Sequence, residues 1–380
     1  MPFDVRDFPA ADEPAGVQRQ RRLVAVWLFT VCGMILVMVV LGGATRLTGS
    51  GLSIMEWEPL RGVLPPLSQH DWEKLFALYR KIPQYTLVNH GFGLAGFKQI
   101  FWLEWIHRLW GRLIGLAFLL PLLLLWARGA ISRRLVPRLL VIFALGGLQG
   151  LVGWFMVASG FEADSTAVSP YRLVIHLSLA LVLYVAILWT GLSVLRPVPQ
   201  AIPGARAARN ATGLACGLLA LTILAGGLVA GTHAGLIDNT FPLMQGSLVP
   251  PDYARLHPLL RDLTQNLPAV QFDHRLLATL TAATVLATLA LGLHARLPRG
   301  PRLAVAALGA AVLVQYGLGV ATLLNAVPPA LGIAHQGMAV LLLTAAVVAL
   351  HALRGGRPWP ARPPVPGRPA PVRLEQAGPG

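Results

Sequence analysis

The chain has 380 residues, of which 55% are hydrophobic and only 12% charged, with a mean hydropathy of +0.62; a water-soluble domain carries about 25% charged residues. The formal net charge is +15, but the basic residues are spread between apolar stretches instead of gathering on one face, which argues against nucleic-acid binding. What remains is a protein of the lipid bilayer.

Residues 1–22 hold Asp4, Asp7, Asp12 and Glu13 and no short apolar core, so they fit neither a signal peptide nor a transit peptide and are expected as an N-terminal tail. Eight apolar stretches follow, each about 20 residues and long enough to cross a hydrocarbon core of about 30 Å. They are predicted at 24–44, 101–126, 139–158, 171–194, 212–231, 274–294, 303–324 and 330–352. In the first outer loop Trp72, Leu75, Phe76 and Tyr79 recur at helical spacing among Asp71, Glu73, Lys74, Arg80 and Lys81. This predicts an amphipathic helix on the outer surface, either a lid over a site or packed against the bundle.

Arginines fill one set of connections: Arg19, Arg21 and Arg22 before the first span, Arg128, Arg133, Arg134 and Arg138 after the second, Arg196, Arg206 and Arg209 after the fourth, Arg296, Arg299 and Arg302 after the sixth, and Arg354, Arg357, Arg362, Arg368 and Arg373 after the eighth. The positive-inside rule makes that side cytoplasmic, so both termini are expected inside the cell inner membrane and the loops at roughly 45–100 and 232–273 face outward. The tail from 355 is rich in Pro, Arg and Gly and is expected to be disordered. Cys32 and Cys216 both fall inside spans, which excludes a structural disulfide between the outer loops.

The chain repeats itself. Gly42-Gly43 aligns with Gly226-Gly227, and the closing Gly51-Leu52 with Gly235-Leu236, at a constant offset of 184 that also sets Cys32 on Cys216. His107-Arg108 then matches His274-Arg275; Gln149 and Gly153 match Gln315 and Gly319; Pro170 stands before His176 as Pro329 stands before His335. Four spans per copy keep the second in the same orientation as the first. The expected architecture is therefore all-α, two parallel-repeat four-helix bundles, with residues 23–200 as the first half and 201–354 as the second.

An ionisable side chain in a membrane helix is a functional-site hypothesis by default. His107 and His176 in one half, and His274 and His335 in the other, offer paired imidazoles from facing helices near the outer surface, a geometry for axial ligation of haem iron. The bland alternative is a hydrogen bond from each ring to a neighbouring backbone or hydroxyl group. Zinc fits less well, because no further ligand type clusters with them. His70, His90, His233, His257, His294 and His351 have no counterpart in the other half and are expected to be solvated or interfacial.

The halves differ at Glu104, three residues before His107 on the same helical face; the second half has Asp273 directly before its histidine instead. A carboxylate beside a haem face could accept protons or stabilise a developing cation, or serve only as partner to a histidine N–H. Arg108, Arg112 and Arg275 could pair with haem propionates or act as interfacial anchors.

Three runs resemble signatures of the haem A synthase family: Gly42 to Ser53, Phe97 to Arg112, and Asn239 to Met244. The resemblance covers nearly the whole chain except its tails and implies oxidation of the ring D methyl of haem O to a formyl group, giving haem A for cytochrome oxidase. It further implies that Glu104, His107 and His176 serve the substrate haem O, and that His274 and His335 hold a permanent haem b that passes electrons. Glu104 matches the family's essential glutamate, proposed to stabilise a cationic intermediate. The outer-loop cysteine pair of the Gram-positive branch is absent, which is similar to the proteobacterial and mitochondrial branch, and Gly96 and Gln245 stand where that branch has acidic residues. Implied partners are haem O, the haem O synthase that supplies it, an electron-transfer protein, and a second copy of the chain. Without Glu104 and the longer first outer loop, the residues describe a diheme b-type electron carrier equally well. A transporter would want broken helices at the midplane, where these histidines do not lie.

Overall fold

A computed structural model describes residues 14–58, 61–163, 165–197 and 202–354; the expected disordered tail lies outside them. Among the described residues, eight helices are long and apolar enough to cross a membrane. In the first half they are α1 (Ala15–Leu47), α4 (Leu94–Ala127), α5 (Leu135–Ala158) and α6 (Pro170–Leu195). In the second they are α7 (Arg206–Thr232), α9 (Leu267–His294), α10 (Arg299–Leu324) and α11 (Pro329–Ala352). Between the spans lie α2 (Gln69–Tyr79), α3 (Pro83–Leu87) and α8 (Leu259–Gln265).

All eight predicted spans are helices, several of them longer than their apolar stretch. Helix α1 starts at Ala15, inside what the sequence assigns to the tail, because Arg19, Arg21 and Arg22 continue it beyond the hydrocarbon. Arg21 uses that extension to donate to the Val194 and Leu195 carbonyls at 2.8 and 2.7 Å, satisfying the orphan acceptors at the C-terminus of α6. Arg354 reaches the neighbouring Arg196 carbonyl from the other half. Helix α4 starts at Leu94, seven residues before its predicted span, since residues 94–101 pack against the outer loop instead of lipid.

That loop holds the amphipathic helix the spacing predicts. Ser68 and Asp71 form a capping box at the start of α2, which satisfies two end N–H groups reciprocally. Trp72 and Tyr79 are buried, with Leu75 and Phe76 packed beside them, against Phe97, Ile100 and Phe101 of α4. Trp72 meets Phe101 edge-on at 4.8 Å, and Lys98 Nζ lies 4.9 Å from the centroid of the Trp72 ring, so this aromatic cluster caps the N-terminal end of α4.

The halves join along α1 and α6 of the first and α7 and α11 of the second. One continuous core runs through both, from Leu28, Val31 and Ile35 on α1 to Val340, Leu343 and Val347 on α11. Polar bonds fix the register of this apolar seam: Gln336 Nε2 donates to the Val39 carbonyl at 2.9 Å, and the Tyr184 and Thr344 hydroxyls are 2.6 Å apart. Glycine sets the closeness of approach, because a Cβ at Gly43 would stand 2.7 Å from Gln336 Oε1.

His351 departs from expectation. It is 3% exposed, edge-on to Trp189 at 5.0 Å and 3.3 Å from Ser193 Oγ. Neither solvated nor interfacial, it is a core side chain that packs α11 on α6, consistent with the amphipathic ring of a histidine that finds both an aromatic face and a hydroxyl. The other five unmatched histidines are exposed.

Candidate functional site

His107 on α4 and His176 on α6 lie near one another in the first half, as do His274 on α9 and His335 on α11 in the second. Each ring lies against a glycine of the span that precedes it. A Cβ would stand 3.1 Å from His107 Cε1 if built at Gly42, 2.8 Å from His176 Cε1 at Gly153, 2.9 Å from His274 Cε1 at Gly226 and 2.9 Å from His335 Cε1 at Gly319. The missing methyl group is thus what lets each imidazole occupy its place. The recurrence of these glycines is legible in the sequence; their role is not, since spacing alone does not say which helix face meets a histidine.

The rings are also held by polar partners. Gln149 Nε2 donates to the His176 carbonyl at 3.0 Å and lies 3.2 Å from its Nδ1. Gln315 Nε2 lies 3.2 Å from His335 Nδ1, and His274 Nδ1 is 3.1 Å from the Thr222 carbonyl. A Nδ1–H spent on that carbonyl leaves Nε2 with the lone pair that binds a metal. His107 Nδ1, Gln149 Oε1 and Gln315 Oε1 are buried without a hydrogen-bond partner, an arrangement proteins rarely leave uncompensated. Paired imidazoles, glycine cradles and orphaned polar atoms fit haem between the members of each pair. Among the described residues no group of three or more His, Cys, Asp or Glu could hold a metal ion.

If the cradles position the rings, Gly319→Ala should weaken haem retention in the second half about tenfold, the range expected for disturbing a ligand's support. Gly317→Ala adds its methyl group where no atom lies within 4 Å and should leave the absorption spectrum unchanged. Equal spectra for both variants would remove the cradle argument.

Glu104 is 3% exposed, and His107 is not among its partners. Its Oε2 accepts from Ser53 N and Oγ at 2.7 Å each and from Ile54 N at 3.0 Å. Its Oε1 takes a bidentate pair from Arg108 at 2.7 and 3.1 Å. An ionised carboxylate is the form that can accept from so many donors at once. Arg108 continues to the Ile54 and Glu56 carbonyls, so carboxylate, arginine and the loop after α1 form one buried network.

The second half repeats this network with Gln271 in place of Glu104 and Ile237 in place of Ser53, exchanges that sequence reasoning missed. The offset of 167 that sets His274 on His107 sets Gln271 on Glu104. Arg275 donates to Gln271 Oε1 at 3.0 Å and to the Asp238 and Thr240 carbonyls at 2.9 and 2.8 Å, the loop positions that match Ile54 and Glu56. Gln271 Nε2 donates to the Asp238 carbonyl at 3.0 Å. The first-half loop therefore offers N–H groups to a carboxylate, where the second-half loop offers a carbonyl to an amide. Asp273 accepts instead from Tyr253 at 3.0 Å.

The arginines expected either at propionates or as interfacial anchors also bond the loops. Arg108 and Arg275 grip loop carbonyls as described, and Arg112 donates to the Glu58 carbonyl at 2.8 Å; guanidinium forks satisfy backbone acceptors at a loop-to-helix junction as readily as they do carboxylates. The second loop does not depend on an acidic residue at Gln245, because its backbone N–H does the work by donating to Asp238 at 2.8 Å. Burial would raise the Asp238 carboxyl, but the Thr240 hydroxyl and N–H, the Gln245 N–H and nearby Arg275 together hold it below the usual carboxylate range.

Residues 25–347 match the COX15-CtaA family, described as cytochrome oxidase assembly protein. The chain is 65% identical over 338 residues to the haem A synthase of Granulibacter bethesdensis, covering 89% of each chain. It is 49% identical over 351 residues to haem A synthase 2 of Acidiphilium cryptum, covering 91% of this chain and 95% of the relative, and 48% identical over 346 residues to the haem A synthase of Rhodospirillum centenum, covering 90% and 91%. With a family match over residues 25–347 and identity at this level over most of the chain, the chain belongs to the COX15-CtaA family of cytochrome oxidase assembly proteins and, within it, to the haem A synthases.

Proposed function

We propose that this enzyme of haem A biosynthesis oxidises the ring D methyl of haem O to a formyl group in its first half, with a resident haem b in its second half passing electrons. In this reading His107 and His176 hold the substrate, His274 and His335 hold haem b, and Glu104 is the catalytic group. Bound haem iron would supply the one-electron and oxygen chemistry that no side chain provides. What the chain supplies is orientation, exclusion of water and a fixed charge.

The observation that carries the reading is Glu104 among loop donors in the first half where the corresponding place in the second half holds Gln271 against a loop carbonyl. A pure electron carrier has no need for a carboxylate one turn before the histidine of one half where the other half carries an amide. Glu104 has its lone pairs filled by Ser53, Ile54 and Arg108, which favours a stationary anion that stabilises developing positive charge over a proton acceptor. Arg108, Arg112 and Arg275 act by fastening the outer loops over the two sites, and so shape the surface that propionates would meet.

The distribution of arginines supports an inner-membrane protein with both termini cytoplasmic and sites near the outer face. Haem O synthase, an electron-transfer protein and a second copy of the chain are the partners this reading calls for. The reading is tested by extracting the haems of the purified protein and identifying them by mass and spectrum. Haem B together with haem O or A is expected; haem B alone would leave the diheme carrier in its place.

A further inference from the structure

The two halves differ in a second way, at the seam between their second and third spans. On α5, Phe143, Gly147, Gly150 and Trp154 form one row at helical spacing. Phe143 stacks on Phe118 of α4 with centroids 6.1 Å apart, and Trp154 stacks on Trp57 of the outer loop at 5.4 Å. Between these two aromatic stacks the seam is lined by Gly147 and Gly150 and, on α4, by Gly115, one turn from Phe118. A Cβ at any of the three would meet no atom within 4 Å.

The two helices that flank the seam carry unsatisfied polar groups. His107, Gly111 and Gly115 follow one row of α4, and Gln149 adjoins Gly150 on α5. His107 Nδ1 and Gln149 Oε1 are among the buried atoms that lack a hydrogen-bond partner. Exposed Leu113, Leu116, Leu148 and Leu151 flank the seam, so in a bilayer its outside is hydrocarbon.

In the second half the same seam is bolted. The position of Gly150 is taken by Tyr316, whose hydroxyl bonds that of Thr279 on α9 at 3.0 Å and whose ring meets Phe241 of the outer loop at 6.3 Å. Gly115 becomes Ala282 and Gly147 becomes Leu313. Toward the inner end Gly309 replaces Phe143 and draws α10 onto Leu289 of α9, with 2.9 Å left for a Cβ.

We propose that the α4–α5 seam is a lateral portal through which a haem bearing a long isoprenoid tail passes between lipid and the first-half histidines, and that Tyr316 closes the matching seam so that the second-half haem stays. The proposal rests on the assignment of haem O to the first half. A substrate and its product must exchange at every turnover, whereas a resident cofactor must not. An apolar tail favours a path within the hydrocarbon over one through water, and glycines without side chains admit the flat edge of a macrocycle.

Two reciprocal substitutions test this in the full-length protein. Tyr316→Gly should raise the rate at which haem B transfers from the purified protein to apomyoglobin by about tenfold, since losses of retention appear mainly in the dissociation rate. Tyr316→Phe, which keeps the ring and removes the bond to Thr279, should fall between. Gly150→Tyr should lower the haem O and haem A co-purified with the protein while haem B stays at one per chain. An unchanged transfer rate in Tyr316→Gly overturns the portal even where Gly150→Tyr fails to fold. Wild-type protein that carries haem B but neither haem O nor haem A overturns the underlying assignment, and the portal with it.

Discussion

Glu104→Gln is expected to retain haem in both halves and to lower haem A formation about a hundredfold or more, the effect of removing one preorganised electrostatic group from a site of charge development. Glutamine is the informative replacement because the second half already carries Gln271 in the same scaffold, held by Arg275 and the Asp238 carbonyl. In the first half a glutamine oxygen can still accept from Ser53 and Ile54; its Nε2 then faces the Arg108 guanidinium, donor against donor, and Arg108 is left with the Ile54 and Glu56 carbonyls. The loop is retained and the charge is lost. Alanine differs: it leaves the Ser53 and Ile54 N–H groups buried without an acceptor, at about 1–3 kcal/mol each. Glu104→Ala should therefore also stop haem A formation with haem still spectroscopically present, but at lower thermal stability than the glutamine variant. Haem A yield is read by extraction from membranes, and haem content by the pyridine absorption spectrum. A normal yield from Glu104→Gln would refute the catalytic assignment; loss of first-half haem in both variants would make the residue a structural post.

What was legible in the sequence follows the strength of each physical signal. Spans were readable because hydrocarbon imposes length and apolarity on every helix that crosses it. The amphipathic α2 was readable because Trp72, Phe76 and Tyr79 share a face. Element ends were less so: α4 gains seven residues at its start because Phe97, Ile100 and Phe101 find aromatic partners in α2, contacts distant in sequence. The short helices α3 and α8 lack an apolar period and passed unseen.

The site was half legible. Four histidines could be matched by repeat spacing, and the same offset would have found Gln271 had the row of Glu104 been carried across along with that of His107. The adjacent Asp273 is no counterpart of Glu104, since a residue one position before a histidine points about 100° away from it around the helix. Ser53 and Ile54 carried no signal, because two of the bonds they give Glu104 come from backbone N–H groups, which every sequence possesses. His351 shows the converse. A histidine near a span end looks interfacial until Trp189 and Ser193 are seen to enclose it.

His335→Ala is expected to abolish the low-spin haem b signal outright, and His274→Ala to do the same. Ligation by two imidazoles makes the haem low-spin, so either loss leaves an open coordination position. Each ring is held from behind, His335 by Gln315 and the face of Gly319, His274 by the Thr222 carbonyl and Gly226, and alanine gives these supports nothing to hold. The first-half pair lies on other helices, α4 and α6, so extraction should still find haem O, now accumulated because electrons no longer pass through the second half. His107→Ala and His176→Ala should give the inverse pattern, with haem B kept and haem O absent. If the low-spin signal survives both second-half substitutions and disappears with a first-half one, the two sites must exchange roles; the Glu104 charge would then stand beside the resident haem and serve its potential in place of the substrate's oxidation.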